Sequence, residues 1–402
     1  MMAAITAARG GAKVTLIEQN EKLGKKLFLT GKGRCNLTNS CVLEELFVNV
    51  VRNSKFMYSS FYDFSNSETI DFFEEIGLKT KNERGNRIFP ISDHSSDVIA
   101  VLKRELAKLN VNIRLFTRFV DFVVDNGIIT GVIILDQESH QITLETDILI
   151  MATGGVSYSS TGSDGSAFAV LKNHAILVED TSPSLIPFVC KADYITKLQG
   201  ISLKNVSFSV KTRGKEKYNG FGEMLFTHFG VSGPLVLSAS AYVSKDDLKS
   251  GAIGTIDLKP ALTKEELDLR LLREFEANSN KQLSSIIPKL VPSKMTPSIL
   301  HLAGLDGNKK INSVTKEDRK KLIEVLKGFS FEINEFRPIN EAIITRGGVS
   351  VKEINPKTME SKKIKGLYFA GEMIDVDALT GGFNLQIAWS TGHLAGKSSM
   401  NV

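Results

Sequence analysis

The stretch GLYFAGEMIDVDALTGGFNLQIAWSTG at 366–392 restricts the fold of this chain more than any other. It contains a glycine-bounded apolar strand over 366–372 that ends on Glu372, and a glycine pair, Gly381–Gly382, that opens a helix over 381–396. A buried strand followed by a turn and a helix is the repeating unit of doubly wound α/β folds. The sequence therefore predicts an α/β domain of three layers with a mostly parallel sheet.

The same stretch carries groups that suit a flavin. A carboxylate directly after Ala-Gly at a strand end, as at Glu372, is a common way to bind ribityl hydroxyls, although a solvent-facing glutamate in a turn is the alternative. The bare glycines before the last helix let a ligand approach the backbone. The free N–H groups of that helix start would stabilise negative charge on a reduced flavin ring. The alternative is a glycine-rich helix start that serves packing alone.

The N-terminal residues look like the second half of a dinucleotide-binding unit. MAAITAARG (2–10) is an alanine-rich helix, and KVTLIE (13–18) is a buried-strand pattern that ends on Glu18. In such units this carboxylate binds ribose hydroxyls about 20 residues beyond a glycine turn. Counting back places that turn just before Met1, so we expect the natural start about 10–15 residues upstream and weak FAD binding by a chain that begins at Met1. The alternative is an ordinary helix–strand pair.

Composition narrows the function classes. The net charge of +5 is small for 402 residues, and Lys and Arg are spread along the chain, so a dedicated nucleic-acid binder is not indicated. Three cysteines without a C-x-x-C spacing argue against a disulfide scaffold and a metal site, and favour a reducing, cytoplasmic setting. No apolar run approaches the roughly 18 residues that a membrane span needs.

The residue composition and the predicted secondary structure of the chain change at two points. We predict an FAD-binding domain over 1–186, an inserted β-barrel-like and helical substrate domain over 187–336, and the return of the first domain over 337–402. Local patterns add a hairpin turn at Asp125-Asn126-Gly127, a helix over 96–110 with Ser96 as N-cap, and a helix over 280–288.

Together with these features, five segments make the chain resemble the BaiN-like FAD-dependent oxidoreductases, a family of bacterial NAD(P)/FAD-linked flavoproteins. The segments are KLGKKLFLTGKGRCNLTN (22–39), ATGG (152–155), LFTHFGVSGP (225–234), ITRGGVSVKEINPKTMESK (344–362) and the stretch at 366–392. The resemblance implies a Rossmann-type FAD domain interrupted by a β-barrel-like insertion with helices. The glycine-rich first turn of the family has no counterpart in the sequence.

The resemblance also assigns FAD contacts by position. Glu18 would hold the adenosine ribose, and Thr153, Gly154 and Gly155 would pass the ADP portion. Glu372 and Asp375 would face the ribityl and phosphate groups, and Gly382, Asn384 and Leu385 would meet the isoalloxazine edge. The flavin side of the long loop would be lined by Lys25, Lys26, Thr30, Gly31, Gly33, Arg34 and Asn36.

Four further residues have side chains with a possible role of their own. His228, beside a glycine-rich turn of the insertion, is a candidate proton donor, with a structural histidine as the equal alternative. Arg346 would clamp an anionic substrate or cofactor, or pair with a carboxylate. Cys35 is interpreted as a small buried thiol rather than a redox group, and Trp389 as a core residue.

These features predict a flavoenzyme that passes a hydride from NADH or NADPH to a small organic acceptor, for which a conjugated C=C bond is one candidate. Three alternatives remain: an amine or aminoketone oxidase that uses oxygen, an RNA-modifying flavoprotein, and a catalytically impaired flavoprotein fragment. No specific nucleic-acid partner and no metal are expected.

Overall fold

The computed structural model describes residues 1–400, which fold as two units. The first unit comprises Met1–Ser184 and the residues from Ile339 onwards, and the second comprises Leu185–Pro338. Each unit has its own hydrophobic core. The chain therefore leaves the first unit once and returns to it once.

The first part of the first unit contains seven helices and ten strands. The helices are α1 (Met2–Arg9), α2 (Lys25–Leu29), α3 (Leu43–Asn49), α4 (Tyr58–Asp63), α5 (Asn66–Glu75), α6 (Ser95–Lys108) and α7 (Ser166–Asn173). The strands are β1 (Thr15–Ile17), β2 (Thr38–Asn39), β3 (Thr80–Glu83), β4 (Arg87–Pro90), β5 (Asn112–Arg114), β6 (Arg118–Asp125), β7 (Ile128–Leu135), β8 (Gln141–Glu145), β9 (Leu149–Met151) and β10 (Val178–Ser184).

The second unit follows with helices and an antiparallel sheet. Its helices are α8 (Asp193–Thr196), α9 (Pro234–Ser240), α10 (Lys245–Lys249), α11 (Lys264–Glu276), α12 (Thr296–Ala303) and α13 (Lys316–Lys327). Its strands are β11 (Phe188–Val189), β12 (Ser202–Thr212), β13 (Lys215–Thr227), β14 (Gly230–Ser232), β15 (Ala252–Asp257), β16 (Phe329–Ile333) and β17 (Glu335–Phe336). The chain then completes the first unit with β18 (Ile344–Val349), β19 (Leu367–Phe369) and α14 (Phe383–Ser398).

Parallel strand pairs confirm the α/β fold class. Strand β1 pairs in parallel with β5, and β9 pairs in parallel with β19. Strands β10 and β18, through which the chain leaves and re-enters the first unit, are antiparallel neighbours. Because parallel strands carry their C-terminal ends to the same edge, the residues that follow β9 and β19 lie side by side. Those residues are Ala152–Gly155 and Ala370–Glu372, two of the segments singled out in the sequence.

Helix α14 is the central helix of the first unit and packs directly against α1. The packing is close because Gly396 has no side chain: a Cβ there would lie 2.5 Å from the Ala3 carbonyl oxygen. Trp389, on the same helix, is buried and donates its Nε1–H to the Leu37 carbonyl at 2.9 Å. The prediction that Trp389 is a core residue is thus confirmed.

Local predictions had mixed outcomes. The hairpin at 125–127 is confirmed, since Asn126 and Gly127 both have positive φ, as a type I′ turn requires. The N-cap prediction was wrong: α6 begins at Ser95 with His94 as N-cap, so Ser96 lies inside the helix. The predicted helix over 280–288 was also wrong, because only two short 3₁₀ turns form there and Pro288 lacks the N–H that a continuous helix needs.

The sheet of the second unit has the strand order β16-β15-β12-β13-β14-β11-β17. No strand pair within residues 1–400 closes it into a barrel. However, its two edge strands, β16 and β17, are separated in sequence by Asn334 alone. The two edges of the sheet therefore approach each other at this residue, and the predicted β-barrel-like form of the insertion stays a prediction. Its core includes Phe188, Phe208 and Phe329, all fully buried.

Candidate functional site

Four segments that are distant in sequence converge on the Glu372 carboxylate. Its Oε1 accepts hydrogen bonds from the Ser157 hydroxyl at 2.7 Å and from the Thr345 backbone N–H at 2.8 Å. Its Oε2 is paired with the Lys26 ammonium, which also donates to the Ser157 hydroxyl at 2.9 Å. One carboxylate is thus contacted by residues from helix α2, from strand β18 and from the segment that follows β9. Lys26 balances the negative charge of Glu372, and the hydrogen bonds fix the position of its carboxylate.

Thr345 ties the same cluster to the segment that follows ATGG. Its hydroxyl accepts hydrogen bonds from the backbone N–H groups of Val156 at 2.8 Å and Ser157 at 3.2 Å. Only glycine fits at position 155, because a Cβ on this residue would lie 2.2 Å from the Thr345 hydroxyl oxygen. The sequence predicted Gly155 as a site residue but gave no role to Ser157 or Thr345. Ser157 lies two residues after ATGG. Thr345 binds Glu372 through its backbone N–H, which any residue except proline could supply, and its hydroxyl contacts the 156–157 segment only because the fold brings the two together.

The start of helix α14 is shaped by Gly382. This residue is the N-cap with φ of 102°, a left-handed conformation that favours glycine, and a Cβ would lie 2.5 Å from the Thr38 carbonyl. The next three N–H groups, at 383–385, lie at the helix start and have no acceptor within the helix. Asn384 does not point its amide to an open edge, since it clamps Ala378 by donating to its carbonyl at 2.8 Å and accepting from its N–H at 2.9 Å. Leu385 is half-buried among apolar side chains.

Glu18 lies one residue beyond β1, where its N–H donates to the Arg114 carbonyl at 2.9 Å. Its Oε1 accepts from the backbone N–H and the side-chain amide of Asn20, at 2.9 and 2.6 Å. Asn20 in turn donates to the Thr161 carbonyl at 2.9 Å. The predicted ribose ligand is therefore held at a strand end and is connected to the turn at 159–162.

The long loop at 20–40 is more structured than its composition indicates, since it contains α2, a 3₁₀ turn over 30–33 and β2. Arg34 is engaged away from Glu372: it pairs with Glu83 and Asp93, and its guanidinium lies 4.1 Å from the Phe89 ring centroid. The remaining predicted loop residues are half-buried or exposed and differ in their contacts. Lys25 pairs with Glu21 at 3.1 Å, Thr30 donates to the Leu27 carbonyl at 2.7 Å, and Gly31 and Gly33 have positive φ.

Two candidate residues belong to a second polar cluster. Asp375 is buried and accepts from the Asn53 amide at 3.0 Å. Burial raises the pKa of Asp375, which the positive charge of Arg52 opposes. Burial raises the pKa of Asp377, which the positive charge of Arg346 on β18 opposes. Both interpretations of Arg346 stay predictions.

His228 lies in the second unit, in the turn between β13 and β14. Its ring is exposed and meets the Phe229 ring edge-on, with the centroids 5.0 Å apart. The Arg337 guanidinium lies over the same Phe229 ring, 4.4 Å from its centroid. His228 is accessible, and its proposed role as a proton donor stays a prediction. Cys35 is fully buried and burial raises its pKa to about 12, which confirms its interpretation as a buried thiol.

Comparison with known proteins adds the family. The HI0933-like protein Rossmann domain matches residues 1–398. The chain belongs to the HI0933-like Rossmann family. The resemblance drawn from the sequence motifs is thereby confirmed, and the protein is a flavoprotein oxidoreductase.

Two curated relatives of the family cover nearly the whole chain. A 3-dehydro-bile acid delta(4,6)-reductase of Clostridium scindens is 29% identical over 99% of this chain and 96% of its own length. A ribosomal RNA dihydrouridine synthase of Escherichia coli is 28% identical over 97% of this chain and 93% of its own length. Among solved structures, a 3-ketosteroid-delta4-(5alpha)-dehydrogenase of Rhodococcus jostii has a TM-score of 0.51 at 16% identity, covering 99% of this chain and 94% of that one, and so shares the fold.

The residues present fit the FAD that the family implies. The side-chain oxygens of Thr153 and Asn36 are buried and have no hydrogen-bond partner within residues 1–400, so both are available to a ligand. The helix start at Gly382 offers N–H groups, and Glu372 offers a fixed carboxylate. These are the donors and acceptors that a ribityl chain and a flavin ring edge require.

Within residues 1–400, no cluster of three or more His, Cys, Asp or Glu side chains is arranged to hold a metal ion. In the same range, no helix combines the length and the apolar character that crossing a bilayer requires.

Proposed function

We propose that this flavoprotein reduces a carbon–carbon double bond conjugated to a carbonyl group, with NADH or NADPH as the reductant. The observation that supports it most is the pair of whole-chain relatives. Both of their names describe this chemistry: the 4,6-diene of a 3-oxo steroid in one, and the C5=C6 bond of uracil in the other. In the overall reaction, a hydride from NAD(P)H and a proton add across the double bond, and NAD(P)⁺ is released.

FAD, when bound, supplies the hydride-transfer chemistry. The chain supplies position and charge. Glu372, fixed by Ser157 and Thr345, would accept hydrogen bonds from the ribityl hydroxyls. The N–H groups that start α14 would stabilise negative charge at the ring edge, because backbone donors at a helix N-terminus are already oriented. Glu18 would accept from the adenosine ribose.

The proton requires a separate donor. His228 is the proposed donor because it is an exposed imidazole, the side chain that most often transfers protons in enzymes. In a His228→Gln variant we expect kcat to fall about 10²-fold or more while FAD content is unchanged. An unaltered pH profile in this variant would remove His228 from the mechanism.

The first experiment is an absorbance spectrum of the purified protein, followed by anaerobic titration with NADH and then NADPH. A flavin spectrum that bleaches with one of them supports the proposal. Turnover is then measured with a 3-oxo-4,6-diene steroid, and the product should gain two mass units. A colourless protein that stays so after reconstitution with FAD, or a flavin that neither nucleotide reduces, would contradict it.

Ribosomal RNA is the second candidate substrate, favoured by the same extent of match to the dihydrouridine synthase. The test is dihydrouridine formation in unmodified ribosomal RNA with NADPH, together with the salt dependence of RNA binding. The oxidase alternative predicts hydrogen peroxide release with an aminoketone and no need for NAD(P)H. Each alternative therefore has a readout of its own.

A further inference from the structure

The segment 374–380, which we call the connecting segment, joins Glu372 to the Gly381–Gly382 start of α14. Its backbone is held on both sides. The Asp375 N–H donates to the Val349 carbonyl at 2.9 Å, and the N–H groups of Val51 and Leu379 form 2.9 Å hydrogen bonds with the carbonyls of Asp377 and Asn49, respectively. The connecting segment thus lies between β18 and the residues that follow α3.

Two buried carboxylates project from this segment. The Asp377 side chain is fully buried, and its Oδ2 accepts from the Ser184 hydroxyl at 2.7 Å. Asp375 is 5% exposed and accepts from the Asn53 amide. The second oxygen of each carboxylate is also buried and has no hydrogen-bond partner within residues 1–400. Burying two carboxylates so close together is costly unless positive charge balances them.

Arg52 lies opposite both unpartnered oxygens. Its Nε is 3.6 Å from Asp375 Oδ1 and 3.8 Å from Asp377 Oδ1. This Nε atom is buried and has no hydrogen-bond partner within residues 1–400, whereas the Arg52 side chain as a whole is 39% exposed. The other charged groups that face the pair are Arg346 on β18 and Glu179 on β10. Arg52 and Arg346 therefore oppose the negative charges of this group, and Arg52 is the one whose Nε approaches both aspartates.

We propose that Arg52 is a positioning residue of the flavin site, acting through Asp375 and Asp377 to hold the connecting segment and hence the Gly382 start of α14. Arg52 does not touch the cofactor in this proposal. Without its charge, the two carboxylates repel each other, and the segment shifts to bring one of them towards water. The proposal rests on the flavin site described above, and it names a residue to which neither the sequence motifs nor the comparisons assign a role.

The test measures the dissociation constant of FAD by fluorescence quenching, at pH 6, 7.5 and 9. Arg52→Met should bind FAD at least about tenfold more weakly at pH 7.5, because an unbalanced buried charge is strongly unfavourable. The loss should shrink as pH falls from 9 to 6, because burial raises the pKa of both carboxylates and protonation of either one removes unbalanced negative charge. Arg52→Lys should bind within about threefold of the wild type, since it keeps the charge.

A second substitution separates charge balance from packing. Arg52→Met/Asp377→Asn removes one charge of each sign, leaving Arg346 and Asp375, and should restore FAD binding to within about threefold of the wild type. Lys55→Met is the matched control, because it removes an exposed cation three residues away and should change nothing. If Arg52→Met alone fails to fold, the double variant is prepared directly and should fold and bind FAD.

The possible results of these measurements either support or overturn the role of Arg52. Recovery in the double variant, with the pH dependence described, supports the positioning role. A folded Arg52→Met protein that binds FAD like the wild type, or a folded double variant that does not recover, overturns it. If the wild-type protein itself binds no FAD at any pH, the flavin site fails rather than the role of Arg52.

Discussion

The Lys26 ammonium is paired with the Glu372 carboxylate across 346 residues of sequence. One partner starts from helix α2 in the long loop near the N-terminus, and the other follows strand β19 near the C-terminus. Both side chains are largely buried, at 24% and 11% exposed, so water screens the pair only in part. This contact joins two motifs. The sequence could predict that both bind the same cofactor, but it could not predict that they contact each other.

Lys26→Met should weaken FAD binding by about tenfold or more, because Glu372 would lose its counter-charge and its fixed orientation. Lys22→Met is the matched control, because Lys22 is an exposed cation four residues before Lys26 to which no FAD contact is assigned. The measurement is the FAD dissociation constant at low and moderate salt. Equal losses in the two variants would contradict the specific role of the Lys26–Glu372 pair.

Gly382→Ala should destabilise the first unit and abolish FAD binding. The left-handed φ of 102° strains any Cβ, and the added atom would meet the Thr38 carbonyl at 2.5 Å. Gly127→Ala is the control, since Gly127 also has positive φ but has no neighbour within 4 Å of an added Cβ. The control should cost about 1–2 kcal/mol from strain alone, whereas Gly382→Ala should cost clearly more in urea unfolding. Similar unfolding curves for both variants would contradict the predicted clash.

Asp318 should stabilise the second unit in a pH-dependent way. Its carboxylate accepts from Lys309 at 2.5 Å and caps α13 by accepting from the Thr315 N–H at 2.9 Å, and these contacts hold its pKa at about 2. Because the folded pKa is lowered, this stabilisation is present above the unfolded pKa near 4 and is lost as pH falls towards 2. Asp318→Asn should lower Tm by about 2–4 °C at pH 7.

The deficit of Asp318→Asn should narrow when Tm is measured at pH 3. Glu317→Gln is its control, because Glu317 is exposed in the same first turn of α13. It should change Tm only slightly at either pH. A deficit for Asp318→Asn that is the same at pH 3 and pH 7 would contradict the assignment of the effect to its charge.

The three cysteines should be unreactive in the folded protein. Burial raises the pKa of Cys35 and Cys190 to about 12 and, with the negative charge of Glu45 as a second cause, that of Cys41 to about 11. At pH 8 the thiolate fraction of such groups is on the order of 10⁻³ or less. A thiol reagent such as DTNB should titrate none of them within minutes in buffer, and all three in guanidinium chloride. Rapid labelling of one thiol in the native state would reveal an accessible, activated cysteine.

The sequence could predict those parts of the fold that rest on local patterns. The parallel α/β class, the hairpin at Asn126-Gly127 and the burial of Trp389 follow from periodicity and turn chemistry, and the structure confirms them. The family could be predicted because each of its motifs is one continuous stretch of sequence, and the family match over 1–398 confirms it. The prediction of a helix over 280–288 was wrong. The apolar residues there lie on 3₁₀ turns and are buried by tertiary packing, and their spacing along a 3₁₀ turn is similar to that along an α-helix.

The sequence by itself determined the elements and the residue types that suit a flavin, because strand and helix patterns and glycine spacings are properties of short segments. The tertiary structure alone decided which of those residues meet. Lys26 lies on Glu372 whereas Arg34 turns to Glu83 and Asp93, although the two cations belong to one loop. Thr345 donates its backbone N–H to Glu372, and Arg52 lies opposite two buried aspartates. Neither contact is visible in a short segment of sequence, because both arise when distant segments pack together and must satisfy each other's polar groups.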